Sequence, residues 1–141
     1  MTCKAIIVDL PDIQLAVSRA DEFPGGIKAA WDRLESKLPS LKGRRFYGLT
    51  VCEGSQLAYF AGVMPVSDEE VASLGFPTTT LKGGKYARVK VLDWPNHTEE
   101  IGRIFDELMR EYPMDPNGPS VEYYRSHSEL HLLIPLAKAG A

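Results

Sequence analysis

Two stretches decide the fold: IKAAWDRLESKLP, residues 27–39, and IGRIFDELMREYP, residues 101–113. In the first, Ile27, Ala30, Trp31, Leu34 and Leu38 recur at i, i+3, i+4, i+7 and i+11. That spacing gathers them on one face of a helix, which Pro39 stops. In the second, Ile101, Ile104, Phe105, Leu108 and Tyr112 keep the same spacing ahead of Pro113. Adding 74 to each number of the first set, Pro39 included, gives the second. The identities are few, so the duplication is one of pattern. Thr98 is the expected N-cap of the second helix, with Glu99 and Glu100 suited to the positive end of its dipole.

Working outward, CKAIIVDL (3–10) predicts a strand, followed by a polar stretch and the turn Phe23-Pro24-Gly25-Gly26. RRFYGLTV (44–51) and QLAYFAGVMPV (56–66) read as a hairpin across Cys52-Glu53-Gly54-Ser55. Residues 67–79 form a connection with room for one helical turn. GGKYARVKVLD (83–93) alternates, with Ala87, Val89 and Val91 opposite Tyr86, Arg88 and Lys90. A closing hairpin, PSVEYYRSHSELHLLIPL (119–136), turns at Ser126-His127-Ser128-Glu129. A strand–helix–strand–strand unit is therefore used twice, over roughly 1–66 and 80–138, within one domain of 1–141. One helix covers one face of such a unit. The expected fold is α+β, an antiparallel or mixed sheet with both helices on one face. A ligand groove is expected on the other face, along the pseudo-two-fold.

Composition narrows the function classes. With 141 residues, 44% hydrophobic and 25% charged, the chain suits one globular core. A net charge of −3 gives no basic excess, which argues against a nucleic-acid partner. AIIV (5–8) and LHLLIPL (130–136) are far shorter than a membrane span. MTCKAIIVDLPD carries no signal-peptide pattern, so a cytoplasmic location is expected, and the sequon Asn96-His97-Thr98 is a chance match. Cys3 and Cys52 are too few for a disulfide framework. His97, His127 and His131 fit no metal spacing with them, and neither metal nor cofactor is expected. Lys82-Gly83-Gly84-Lys85 precedes a strand instead of opening a helix and reads as a turn.

Glu122 stands out in this background, because carboxylates are depleted in strands and rarely buried without a partner. By period two, Ser120, Glu122 and Tyr124 share one face, and Val121 and Tyr123 the other. If Val121 meets the helices, Glu122 and Tyr124 face the groove. The shift of 74 puts Gly48 at the matching position of the first unit, opening space beside the carboxylate. The plain reading is a solvated Glu122, or one paired with Arg88 or Arg125. The functional reading rests on the strand aromatics Tyr47, Tyr59, Phe60, Tyr86, Tyr123 and Tyr124. A cation held over such rings gains about 0.5–2 kcal/mol per contact. A desolvated carboxylate adds Coulomb attraction.

RRFYGLTV with the following YFAGV, then LKGGKYARVKV, then VEYYRSHSELHLLIPL, carry a resemblance over nearly the whole chain. In order and spacing they are similar to the GyrI-like small-molecule-binding domain, the effector-binding domain of bacterial multidrug-sensing transcription regulators. The resemblance implies a duplicated strand–helix–strand–strand fold that binds hydrophobic, often cationic, compounds between its halves. Family members meet the positive charge with an acid on the penultimate strand, the position of Glu122. Tyr124, Tyr47, Phe60, Tyr86 and Trp31 are carried over as groove residues. Its 141 residues show no helix-turn-helix pattern, so the expectation is a likeness to stand-alone members, including drug-binding modules of mobile gene cassettes. Some stand-alone relatives are hydrolases that open cyclopropane rings of DNA-alkylating compounds; Glu122 matches one acid–base group, and no second is assignable. A third alternative is a protein-interaction module, such as a gyrase-protecting factor. A homodimer is left open.

Overall fold

Both proline-stopped helices form where the spacing puts them, as α1 (Ile27–Ser36) and α3 (Ile101–Glu111). The computed structural model describes residues 4–138, so Cys3, the expected start of the first strand, lies outside the described residues. Strands β1 (Ala5–Leu10), β2 (Ile13–Arg19), β3 (Phe46–Glu53), β4 (Gln56–Val63), β5 (Thr78–Leu81), β6 (Gly84–Leu92), β7 (Ser120–Tyr124) and β8 (Glu129–Pro135) build one sheet. Its order is β1-β6-β8-β7-β3-β4-β2-β5, and every pairing is antiparallel. The fold is α+β, as expected. No helix among the described residues is long and apolar enough to cross a membrane.

α1 buries Ala30 and Leu34 against Ala16, Ala61 and Val63. α3 buries Ile104 and Leu108 against Ala87, Val89, Leu130, Leu132 and Ile134. Each fully buried Leu or Ile contributes about 1.5–3 kcal/mol, which fixes both helices to the sheet. A third cluster occupies the opposite face: Leu15, Tyr47, Leu49, Leu81, Tyr86, Val121 and Leu133, joined by Val8 and Leu10. It includes residues of both edge strands, so the sheet curls around it with the helices outside.

Four local readings need correction. The stretch after Leu10 holds β2, not a polar connection: Ile13, Leu15 and Val17 enter the inner cluster while Ala16 supports α1. Burial on both faces hides its alternation. The connection 67–79 contains α2 (Asp68–Leu74), longer than one turn, capped by the Ser67 hydroxyl on the Glu70 amide and ended by Gly75 in the left-handed region. β5 follows it. Thr98 does not cap α3, because residues 94–96 and 98–100 form two 3-10 turns ahead of it. Trp94 is drawn there by tertiary contacts, its indole donating to the Ser126 carbonyl at 2.9 Å.

Registers locate the pseudo-two-fold. Phe46 pairs with Tyr124 and Thr50 with Ser120, placing the axis between Gly48 and Glu122, themselves directly opposite. The outer strands repeat with a different offset, 71, since Ala16 pairs with Val63 as Ala87 pairs with Ile134. The same offset takes the β1–β6 pair Leu10 and Gly84 onto the β5–β2 pair Leu81 and Ile13. The outermost strand of each half therefore pairs with the other half. β2, not β1, is the strand that leads into α1.

Candidate functional site

Gly48 partners Ala61 on one side and Glu122 on the other, and Glu122 partners Leu132. Ala61 supports α1 and Leu132 supports α3, so Glu122 lies on the helix-covered face, between the two helices. The expectation that Val121 meets the helices and Glu122 the opposite face is reversed. Val121 belongs to the inner cluster, because the curl needs apolar residues inside.

The carboxyl group is enclosed by parts of both halves. Tyr59 of β4 and Tyr124 of β7 each donate a hydroxyl hydrogen bond to Glu122 Oε1, both at 3.1 Å. The indole Nε1 of Trp31, on α1, donates to the Tyr59 hydroxyl at 3.0 Å. Gly48 leaves the space these groups fill, for a Cβ there would stand 2.5 Å from Glu122 Oε1 and overlap the Tyr59 hydroxyl. Trp31 meets Tyr124 edge-on at 5.5 Å between ring centres, and Trp94 meets it from another side at 5.2 Å. Tyr59 is nearly inaccessible, with 3% of its surface exposed.

No cationic side chain among the described residues forms an ion pair with Glu122. Arg125 lies beside Glu129 at 3.5 Å, and Arg88 Nε is buried without a partner. Burial raises the Glu122 pKa, and the hydrogen bonds from Tyr124 and Tyr59 pull the other way. Burial also pushes both tyrosines up, reinforced by the Glu122 charge, so they stay neutral donors. Among the described residues, the acid is held by the hydroxyls of Tyr59 and Tyr124. It can keep its proton, or lose it to solvent when a cation comes close enough to pair with the carboxylate.

Beside this cluster a cavity of about 690 Å³ opens between α1 and the 3-10 turns, walled by Trp31, Phe46, Trp94 and Tyr124. Glu122 lies behind Tyr124, whose ring lines the cavity and whose hydroxyl reaches the acid. At the rim, Arg44 is held by two bonds from its guanidinium to Glu70, 2.5 and 2.6 Å long. A separate cleft of about 550 Å³ runs between residues 19–23 and the start of β4.

Of the residues singled out from sequence, Glu122, Tyr124 and Trp31 come together. Tyr47, Tyr86 and Phe60 lie on the inner face of the curl. Tyr47 stacks on Tyr123 at 4.8 Å, and the Tyr86 hydroxyl donates to the Lys82 carbonyl at 2.6 Å. Burial pushes both phenols up to about 12. Phe60 lies under the Arg19 guanidinium, 5.3 Å away. Sequence reasoning passed over Trp94 and Phe46 as site residues and left Tyr59 among the general strand aromatics. The alternation of β4 does put Tyr59 in step with Ala61, but only the β3–β4 register brings its hydroxyl to Glu122. Metal-type side chains converge among the described residues at His97, Glu99 and Glu100, where Glu100 is already bonded to His97 and Arg103.

Comparison with known proteins agrees with this architecture. The family model described as integron-associated effector binding protein matches residues 9–136. An integron cassette protein from the mobile metagenome of Vibrio cholerae superposes with a TM-score of 0.66 at 16% identity, over 94% of this chain and 95% of that one. The protein SAV2435, in a structure bound to tetraphenylphosphonium, gives 0.66 at 16% identity over 95% and 94%. A transcription-regulation protein from Staphylococcus aureus MU50 gives 0.63 at 13% identity over 97% and 100%. None of the curated proteins matches the sequence.

Proposed function

The chain belongs to the integron-associated effector-binding proteins, a GyrI-like family that binds small molecules, and on that premise we propose that its own ligands are lipophilic cations. The positive charge is met by Glu122, and the apolar body rests against Trp31, Trp94 and Tyr124. One observation carries this reading: an acid enclosed between two tyrosine hydroxyls, without a counter-cation among the described residues. Burying such an acid unpaired is costly, and the cost is recovered when a cation replaces its proton. The aromatic walls add attraction for the same charge. The structure of SAV2435 with tetraphenylphosphonium supports it by analogy.

Trp31 and Trp94 both touch Tyr124, so ligand entry is expected to change indole fluorescence. Titration with tetraphenylphosphonium should saturate, and Glu122→Gln should weaken binding by roughly 5- to 150-fold, the range for losing a charged partner in a desolvated site. An undiminished affinity in that variant removes Glu122 from the site.

The alternative, hydrolysis of strained cyclopropanes, asks for a second acid–base group near the first. Glu35 lines the same cavity and is the acidic candidate there. Its test is turnover: a strained alkylator supplied in excess and consumed no faster than in buffer rejects hydrolysis.

A further inference from the structure

The 690 Å³ cavity beside Trp94 has a lining at odds with a ligand whose only charge is positive. Lys42, Arg44 and Arg125 line it together with His127, against a single carboxylate, Glu35. Basic groups around the entrance repel a plain cation on its way in. These three cations are not equally committed. Arg44 is locked by its two bonds to Glu70. Arg125 lies 3.5 Å from Glu129 Oε2, but that oxygen also takes the His131 Nε2 contact at 2.6 Å, so the acid is shared. The Arg125 side chain is 59% exposed. Lys42, exposed in the loop before β3, forms no ion pair among the described residues.

The inner wall and the rim therefore carry opposite signs. Tyr124 lines the cavity and donates to Glu122; Trp31 lines it and donates to Tyr59, the second donor to Glu122. The acid stands directly behind that aromatic wall. Arg125 follows Tyr124 in the chain, so one basic group of the rim starts from the backbone position next to the wall itself. A group bound at the exposed rim keeps much of its hydration, so an anionic contact with Lys42 or Arg125 costs little desolvation.

We infer that the preferred ligand is amphoteric: an aromatic cation that also carries a carboxylate, with the positive group met by Glu122 and the carboxylate held at the rim by Lys42 and Arg125. The inference rests on the reading of Glu122 as the charge contact. It adds a second charge of opposite sign to the ligand, and it makes Lys42 and Arg125 the residues that select for it. A plain cation uses the inner wall and leaves the rim unanswered.

The probes are benzyltrimethylammonium and (4-carboxybenzyl)trimethylammonium, which share ring and cation and differ by one carboxylate. Calorimetry on the whole chain, at neutral pH and low salt, reads both affinities. The carboxylated probe is expected to bind the unaltered protein more tightly. Lys42→Gln and Arg125→Gln should each lower its affinity about two- to fivefold, the worth of one exposed charge contact, without weakening the plain cation. If the carboxylate adds no affinity and neither variant separates the probes, the amphoteric ligand is overturned. Glu122→Gln is expected to weaken both probes alike. Should it leave both affinities intact, the underlying reading fails instead, so the two failures are distinguishable.

Discussion

Gly48 and Glu122 stand opposite each other across β3 and β7, and they are each other's counterpart in the duplicated pattern. The duplication therefore put a carboxyl on one side of the pseudo-axis and an empty position on the other. Without that asymmetry the axis could not hold a single acid between two tyrosine hydroxyls.

Gly48→Ala tests the empty position. Its Cβ would collide with the Tyr59 hydroxyl and the Glu122 carboxyl, which are hydrogen-bonded to each other. Overpacking of this kind costs about 1–3 kcal/mol. A lower urea midpoint is expected, together with weaker tetraphenylphosphonium binding, as Tyr59 is forced off the acid. An unchanged midpoint with intact binding would show that the cluster gives way freely.

Glu122 should leave a mark on the pH dependence of stability. Its pKa is raised in the folded chain, so the folded state holds this proton more tightly than the unfolded one. Stability then falls as pH rises from the ordinary carboxylate value near 4.5 toward the raised folded value, and levels off above it. Glu122→Gln removes that fall. The difference in melting temperature between variant and unaltered protein is expected to grow in favour of the variant across that window. A pH-independent difference would mean the carboxyl titrates normally.

Cation affinity should follow the same proton. Where Glu122 is protonated, a cation must displace the proton, so affinity rises with pH up to the folded pKa and is flat beyond it. Calorimetry in buffers of different ionisation enthalpy reads the released proton directly. Equal heats in all buffers below the folded pKa would contradict it.

Trp31→Phe isolates one hydrogen bond. The change keeps an aromatic ring beside Phe46 and Tyr124 but removes the donor to Tyr59. A loss of about 0.5–1.5 kcal/mol is expected in chemical denaturation. Only Trp94 then remains to report the ligand, so the fluorescence change on titration should shrink.

Arg44 and Glu70 form the rim's anchor, with side chains 8% and 12% exposed. The hydrogen bonds from Arg44 hold the Glu70 carboxyl below its usual range, so this pair stabilises at neutral pH and its contribution is lost as acid protonates Glu70. Arg44→Ala should cost about 2–3 kcal/mol, less than a deeply buried pair because solvent lies near. Replacing both partners by Met and Leu should recover most of it in a double-mutant cycle.

The halves differ in how much of them showed in the sequence. α1 and α3 were legible because each buries one stripe against one sheet face, and a single-sided stripe leaves a period of 3.6 residues. β6 was legible for the same reason with period two. β2 was not, since it lies between β4 and β5 with both faces covered, and two-sided burial erases alternation. Glu122 was visible as an anomaly in an apolar strand, and Gly48 as its counterpart by arithmetic.

The chain's own letters determined the duplicated pattern, the two helices, the two hairpins and the one misplaced acid, because these follow from neighbours along the backbone. Which face that acid occupies was decided only in three dimensions: closing the sheet into a curl required an apolar interior, and that turned Val121 inward and Glu122 toward the helices. The company Glu122 keeps was likewise settled by strand register, which brought Tyr59 and Trp31 across from distant positions and left Tyr47, Phe60 and Tyr86 on the far side.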